Sequence, residues 1–155
     1  MAHPNYEADF YDWAREQAML LRSQQWHRLD LPNLIEEIEA LGNQQRQELR
    51  NRLSVLMGHL LKWEYQPQRR SRSWLATIRV QRRDTLRLLK DNLSLKPYLK
   101  EALFEAYANA RDLAMGATDL PSQTFPPDCR YSLAEILDEC FYPGEPSDLI
   151  EDLKW

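Results

Sequence analysis

The chain is poor in glycine and cysteine and has no long apolar run. Four glycines in 155 residues leave few positions for tight turns, and no glycine-rich phosphate loop can be assembled from them. The two cysteines, Cys129 and Cys140, form no Cys-x-x-Cys pair, so neither a disulfide framework nor a zinc motif is expected. No stretch approaches the roughly 20 apolar residues that cross a bilayer, and no membrane partner is expected. Period-two alternation of useful length is absent, as is any internal repeat, which argues against sheets and solenoids. No Gly-x-Ser-x-Gly elbow occurs. The first residues, polar and acidic through Asp9, are unlike a secretory leader, and a cytoplasmic location is the expectation.

What the chain does have is helix-forming material. Hydrophobic residues make up 43% and charged residues 28%, a balance that suits a globular, helix-rich protein rather than a disordered one. Its length fits a single domain over 1–155, with a bundle core at 1–116 and a Pro-rich connection with short helices at 117–155.

The spacing of apolar residues predicts four long helices. Asn5 can cap a first helix from about Tyr6 to Gln25, with Tyr6, Phe10, Trp13, Ala14, Ala18 and Leu21 inward. Asp30 followed by Pro32 opens a second, because proline lacks only an N–H that the first turn leaves unused. Its stripe runs through Leu34, Ile38, Leu41, Leu49, Leu53, Leu56, Leu60 and Trp63 to Tyr65, about 34 residues or roughly 50 Å. Gly42-Asn43 is a C-cap signal, so this helix either continues or breaks there. Ser71 or Ser73 caps a third helix with Trp74, Ile78, Gln81, Thr85 and Leu89 inward. A fourth carries Leu95, Leu99, Ala102, Leu103, Ala106, Ala110 and Leu113, and its alanines predict close approach to a neighbour. Beyond Gly116 the prolines at 121, 126 and 127 demand extended or turn backbone. Ser132-Leu-Ala-Glu135 is a capping-box pattern for a short helix to about Phe141, and Ser147 can cap a last one to Trp155. The expected fold is all-α: an antiparallel helical bundle of about four long helices with a Pro-rich tail of short helices.

Charge is segregated along the chain. Residues 69–100 hold ten basic side chains against two acidic ones, and residues 101–155 three against twelve, within a net charge of −4. The basic face consists of Arg69, Arg70, Arg72, Arg79, Arg83 and Arg87, with Lys90 beyond them. Either the acidic tail neutralises this face, or the arginines form a patch for a polyanion, with Trp63, Tyr65 and Trp74 available to stack on bases. The pI near 5.4 favours neutralisation, since nucleic-acid-binding domains usually exceed about 9.

Three constellations could carry chemistry. Glu36 and Glu39 share a face of the second helix, but the Glu-x-x-His pairs of bundle di-metal sites are missing, and His3, His27 and His59 are never paired at helical spacing. No metal or cofactor is therefore expected. His59, four residues before Trp63 and two turns after Arg52, reads either as a packed histidine or as an active-site imidazole. Helical ribonucleases of the HEPN type place an arginine shortly before a histidine, but with a polar residue after the arginine, where Leu53 stands here. Gln81 and Arg82 fall close to an apolar face, and a guanidinium buried there must be paired, with Glu37 or Glu48 as candidate partners. Glu37, His59, Gln81 and Arg82 thus form a candidate polar cluster that either fixes helix register or, as the minority reading, supports catalysis. No catalytic residue is assigned.

Several blocks follow one another in a characteristic order. They are Leu34-Ile-Glu-Glu-Ile-Glu-Ala-Leu-Gly42, His59-Leu-Leu-Lys-Trp63, Gln66-Pro67, Ser73-Trp74, Thr77-Ile78 and Gln81-Arg82. Ser94-Leu-Lys96, Thr124-Phe-Pro-Pro-Asp-Cys129, Ile136-Leu137 and Phe141-Tyr-Pro143 then complete the series. In these the chain resembles, over almost its whole length, the domain of unknown function 29 family, which is common in cyanobacteria. The resemblance implies an all-α fold and brings no activity with it. The functional expectation is a non-enzymatic module that binds a macromolecule, a protein rather than a nucleic acid, with a homodimer as one form of that binding. The alternative is a nucleic-acid-binding or RNA-cleaving protein that uses the basic third-helix face and His59.

Overall fold

A computed structural model describes residues 4–153, and every regular element among them is helical. His3 and the expected helix end at Trp155 lie outside the described residues. The chain divides into two compact units, Met1–Gln44 and Gln45–Trp155.

In the first unit, α1 (Pro4–Ala8) and α2 (Phe10–Arg22) replace the single helix expected from Tyr6 to Gln25. Asp9 interrupts it: its backbone leaves helical geometry and its carboxylate accepts from Asp12 N, so it caps α2. Asn5 instead donates to the Asp12 carboxylate at 2.9 Å. The buried residues of α2 are Trp13, Gln17 and Leu20, a stripe turned away from the expected Phe10, Ala18 and Leu21, which are exposed. A polar anchor explains the turn. Trp13 Nε1 donates to Asp30 Oδ2 at 2.9 Å, and the Gln17 amide oxygen accepts from Asp30 N at 2.8 Å. Buried polar groups must be bonded, and here Gln17 is drawn inward to do it.

Helix α3 (Leu31–Tyr65) is unbroken over 35 residues and passes through Gly42-Asn43. A glycine ends a helix only where the backbone turns left-handed after it, whereas Gln44, Gln45 and Arg46 are good helix formers that carry the ladder onward. The stripe from Leu49 to Trp63 is buried, each large apolar side chain contributing roughly 1.5–3 kcal/mol.

In the second unit, α3 continues into α4 (Arg72–Asp91) and α5 (Leu99–Thr118). Arg52 meets Asp84 and Lys62 meets Trp74, so numbers rise on one helix as they fall on the other, and α4 runs antiparallel to α3. Ser54 donates to the Ala106 carbonyl and Gln66 to that of Thr118, both across 52 residues, so α5 runs parallel to α3. Gly58 makes that approach close: a Cβ there would stand 3.3 Å from the Ala110 carbonyl oxygen. The Ala102, Ala106 and Ala110 series, all buried, supplies the facing small surface, as their spacing predicts. Leu113, expected inward, is exposed, and Ala114 takes its place. Pro97 falls in a 3-10 turn at Leu93–Tyr98, ahead of α5.

The tail closes over the bundle. The Tyr107 hydroxyl donates to the Pro126 carbonyl at 2.6 Å, and that of Tyr131 to Glu64 at 2.6 Å. Helix α6 (Leu133–Leu137) has the complete Ser132/Glu135 capping box, and α7 (Asp148–Glu151) is capped by Ser147. Helix α6 stops at Asp138, short of the expected Phe141.

Candidate functional site

On α4, Ile78, Thr85 and Leu89 turn inward as expected, but Leu75 and Arg82 take the places expected of Trp74 and Gln81. Leu75, Ile78, Arg82, Thr85, Leu88 and Leu89 are buried, while Trp74 and Gln81 are only partly so. Arg82 is 1% exposed. Its Nε donates to the Ile136 carbonyl at 2.7 Å and its Nη2 to that of Phe141 at 2.6 Å, with the Glu135 carbonyl 3.4 Å away. The last carbonyls of a short helix have no partners within it, and the guanidinium meets that need at the end of α6. Glu48, the expected partner of Arg82, pairs with Arg52 instead. Burial lowers the Arg82 pKa, opposed first by the Tyr142 phenol, yet an arginine stays charged.

The other members of the candidate cluster have separate partners. Gln81 accepts from Arg52 at 3.4 Å. Glu37 lies in the first unit, where its carboxylate accepts from the Tyr6 hydroxyl at 2.6 Å and helps push that phenol up to about 12. His59 Nδ1 stands 3.0 Å from the Val55 carbonyl, and its Nε2 is 3.4 Å from Lys62 Nζ. That pairing fixes the tautomer: Nδ1 carries the proton and donates to the carbonyl, leaving Nε2 to accept from the ammonium. Burial and the Lys62 charge both lower the His59 pKa. Lys62 is itself buried, with its pKa lowered for that reason and its ammonium 4.6 Å from the Trp74 ring centre. Sequence reasoning passed over Lys62 because a lysine four residues from a helix end is ordinarily solvated.

The basic face divides by role. Arg70 ties the tail down, donating to the Trp63 and Glu145 carbonyls at 2.7 Å each. Arg69, Arg72, Arg83 and Arg87 are exposed, and Arg79 is partly so. Arg72 approaches Asp152 at 3.7 Å, an exposed pair that contributes little, and Arg87 approaches the partly buried Asp84 at 3.9 Å.

In the first unit an apolar surface faces water. Leu31, Ile35, Ile38 and Leu41 share one side of α3, and Ile38 and Leu41 are 65% and 60% exposed. Phe10, Tyr11, Leu21 and Trp26 of the same unit are exposed as well. Of the α3 residues, periodicity places Ile38 and Leu41 in the core, since an amphipathic pattern is the same whether its cover is intramolecular or a partner, and it does not single out Leu31 or Ile35. Among the described residues no group of three or more His, Cys, Asp or Glu side chains is placed to hold a metal, and no helix is long and apolar enough to cross a membrane.

A family model described as Domain of unknown function DUF29 matches residues 5–142. The chain belongs to that family. The match takes in Arg82 and its partners at Ile136 and Phe141, and also His59, Lys62 and the exposed stripe of α3. The DUF29 description assigns no activity, so the function has to be argued from the chain's own residues. No curated protein and no solved structure shows significant similarity to the chain.

Proposed function

We propose that the chain is a non-enzymatic protein-binding module whose first unit presents the Leu31, Ile35, Ile38 and Leu41 stripe to a protein partner. The supporting observation is that four large aliphatic side chains on one side of a helix are each more than half exposed. Scattered apolar residues on a surface need no explanation, but a contiguous stripe rimmed by charge marks an interface. The flanking Glu36 and Glu39 supply such a polar rim. Helix-in-groove recognition and helix pairing both read positions spaced by three, four and seven, as these are.

The test compares the full chain with an Ile35→Asp/Ile38→Asp variant. Sedimentation across concentration reports a second copy as partner, and affinity capture from the source cells reports a different protein. A mass increase or a retained protein that the variant loses supports the proposal. A wild type that stays monomeric and retains nothing the variant lacks overturns it.

A second reading, nucleic-acid binding, is favoured by the exposed guanidinium groups of Arg69, Arg72, Arg83 and Arg87. It requires affinity for mixed RNA and DNA that falls steeply with salt, and no binding at low salt removes it. In the RNA-cleaving form of that reading, His59 would first have to give up Lys62 to free its Nε2.

A further inference from the structure

We propose that the cleft between α4 and the tail in the second unit binds a small phosphorylated organic anion. Arg79, Arg82 and Arg83 line it. Their spacing of three and four puts three guanidinium groups on one side of α4 within about one turn. Among the described residues none of the three forms an ion pair. The carbonyls that hold Arg82 are neutral acceptors, and Asp138 and Glu139 favour its charge only from beyond ion-pair distance. The Arg82 guanidinium lies over the Tyr142 ring, 5.1 Å from the centroid, and Nη1 has no main-chain or carboxylate acceptor. The carboxylate in the lining belongs to Glu139, so the wall carries an excess of two positive charges.

A phosphate monoester matches that excess, because it is close to a dianion at neutral pH, and guanidinium forks pair with its oxygens two at a time. The remaining wall is Cys140, Tyr142, Ile150 and Leu153, a largely apolar surface that suits the organic part of the ligand. The cleft's volume, about 280 Å³, lies at the lower end for small-molecule sites. A single ring bearing one phosphate is therefore the appropriate size. The depth also favours a terminal phosphate over a polymer strand: Arg82 is buried, Arg79 is intermediate and Arg83 is exposed, so the charge leads inward rather than along the surface. This cleft is separate from the α3 stripe, and the two proposals fail independently.

The test is calorimetric titration of the full chain with phenyl phosphate at low salt, with benzoate as the carboxylate counterpart. Saturable binding at one site is expected, with benzoate at least about tenfold weaker. Arg79→Gln plus Arg83→Gln is expected to weaken binding about tenfold or more. Arg69→Gln plus Arg72→Gln, outside the cleft, changes it less than about twofold. Arg83→Gln alone, at an exposed position, serves if the double variant does not fold. Cys140 lines the cleft and is exposed, whereas Cys129 is partly buried, so phenyl phosphate should slow alkylation of Cys140 alone. No saturable binding, equal affinity for benzoate, or equal loss in the two double variants would overturn the assignment. So would a single-stranded oligonucleotide that binds more tightly and depends as much on Arg69 and Arg72, since the arginines would then form a polyanion surface.

Discussion

Arg82 closes the last turn of α6 at Ile136, its Nε lying 2.7 Å from that carbonyl oxygen. A residue from the most basic segment of the chain is thereby spent on holding the tail to the bundle. Arg70 does the same at Glu145. Part of the charge segregation is thus architectural. It is answered chiefly by main-chain carbonyls; of the tail's acidic side chains, Asp152 forms an exposed pair with Arg72, while Asp138 and Glu139 favour the Arg82 charge from beyond ion-pair distance.

Removing that clamp should be costly. Arg82→Met deletes charge-assisted bonds and leaves the ends of α6 and Phe141 without their donor, and a loss of about 3 kcal/mol is expected. Arg82→Lys should recover less than half of it, since one ammonium cannot replace a fork reaching two carbonyls. Urea unfolding of the three proteins checks both values.

Gly58 sets the distance between α3 and α5. Gly58→Val puts branched carbon atoms into a space where even a Cβ would stand 3.3 Å from the Ala110 carbonyl oxygen. A loss of about 1–3 kcal/mol is expected, measured by thermal or urea unfolding.

His59 predicts an acid-side loss of stability. Its folded pKa lies below the ordinary 6.5, so the unfolded chain takes up its proton first. The contribution of neutral His59 is complete above about pH 6.5 and is lost as pH falls through the lowered folded value. Unfolding curves between pH 7.5 and 5 should show this slope, and His59→Gln should flatten it.

Lys62 is a buried ammonium with a histidine and an indole for company. Lys62→Met removes the desolvation cost and keeps the volume, and an increase in stability of up to about 1 kcal/mol is expected. The same change should raise the His59 pKa, because the neighbouring charge is the second cause of its depression. NMR titration of the imidazole carbons measures that shift directly.

The elements were legible where local chemistry decides them. The capping box at Ser132/Glu135, the Ser71 cap and the alanine face of α5 each follow from residues close in sequence. On α4, Ile78, Thr85 and Leu89 were read correctly, but Trp74 and Gln81 were placed inside where Leu75 and Arg82 stand, because periodicity treats arginine as a surface residue. The partners that bring Arg82 inside are backbone carbonyls 53 to 59 residues away, and a carbonyl leaves no mark in a sequence. The break at Asp9 was missed for a related reason: an aspartate there reads equally well as a solvated helix residue or as a cap. In the candidate cluster, the unusual character of His59 and Arg82 was visible. Their separate partners were not, because Lys62 and the tail carbonyls enter through tertiary packing alone.

The α3 stripe is tested most directly by a photo-crosslinking amino acid placed at Ile38 in the source cells, with the same group at exposed Asn109 as control. The account predicts one protein adduct from position 38, either a second copy or a distinct partner, that disappears when Ile35→Asp is added. No adduct from position 38, or the same adducts from both positions, would contradict it.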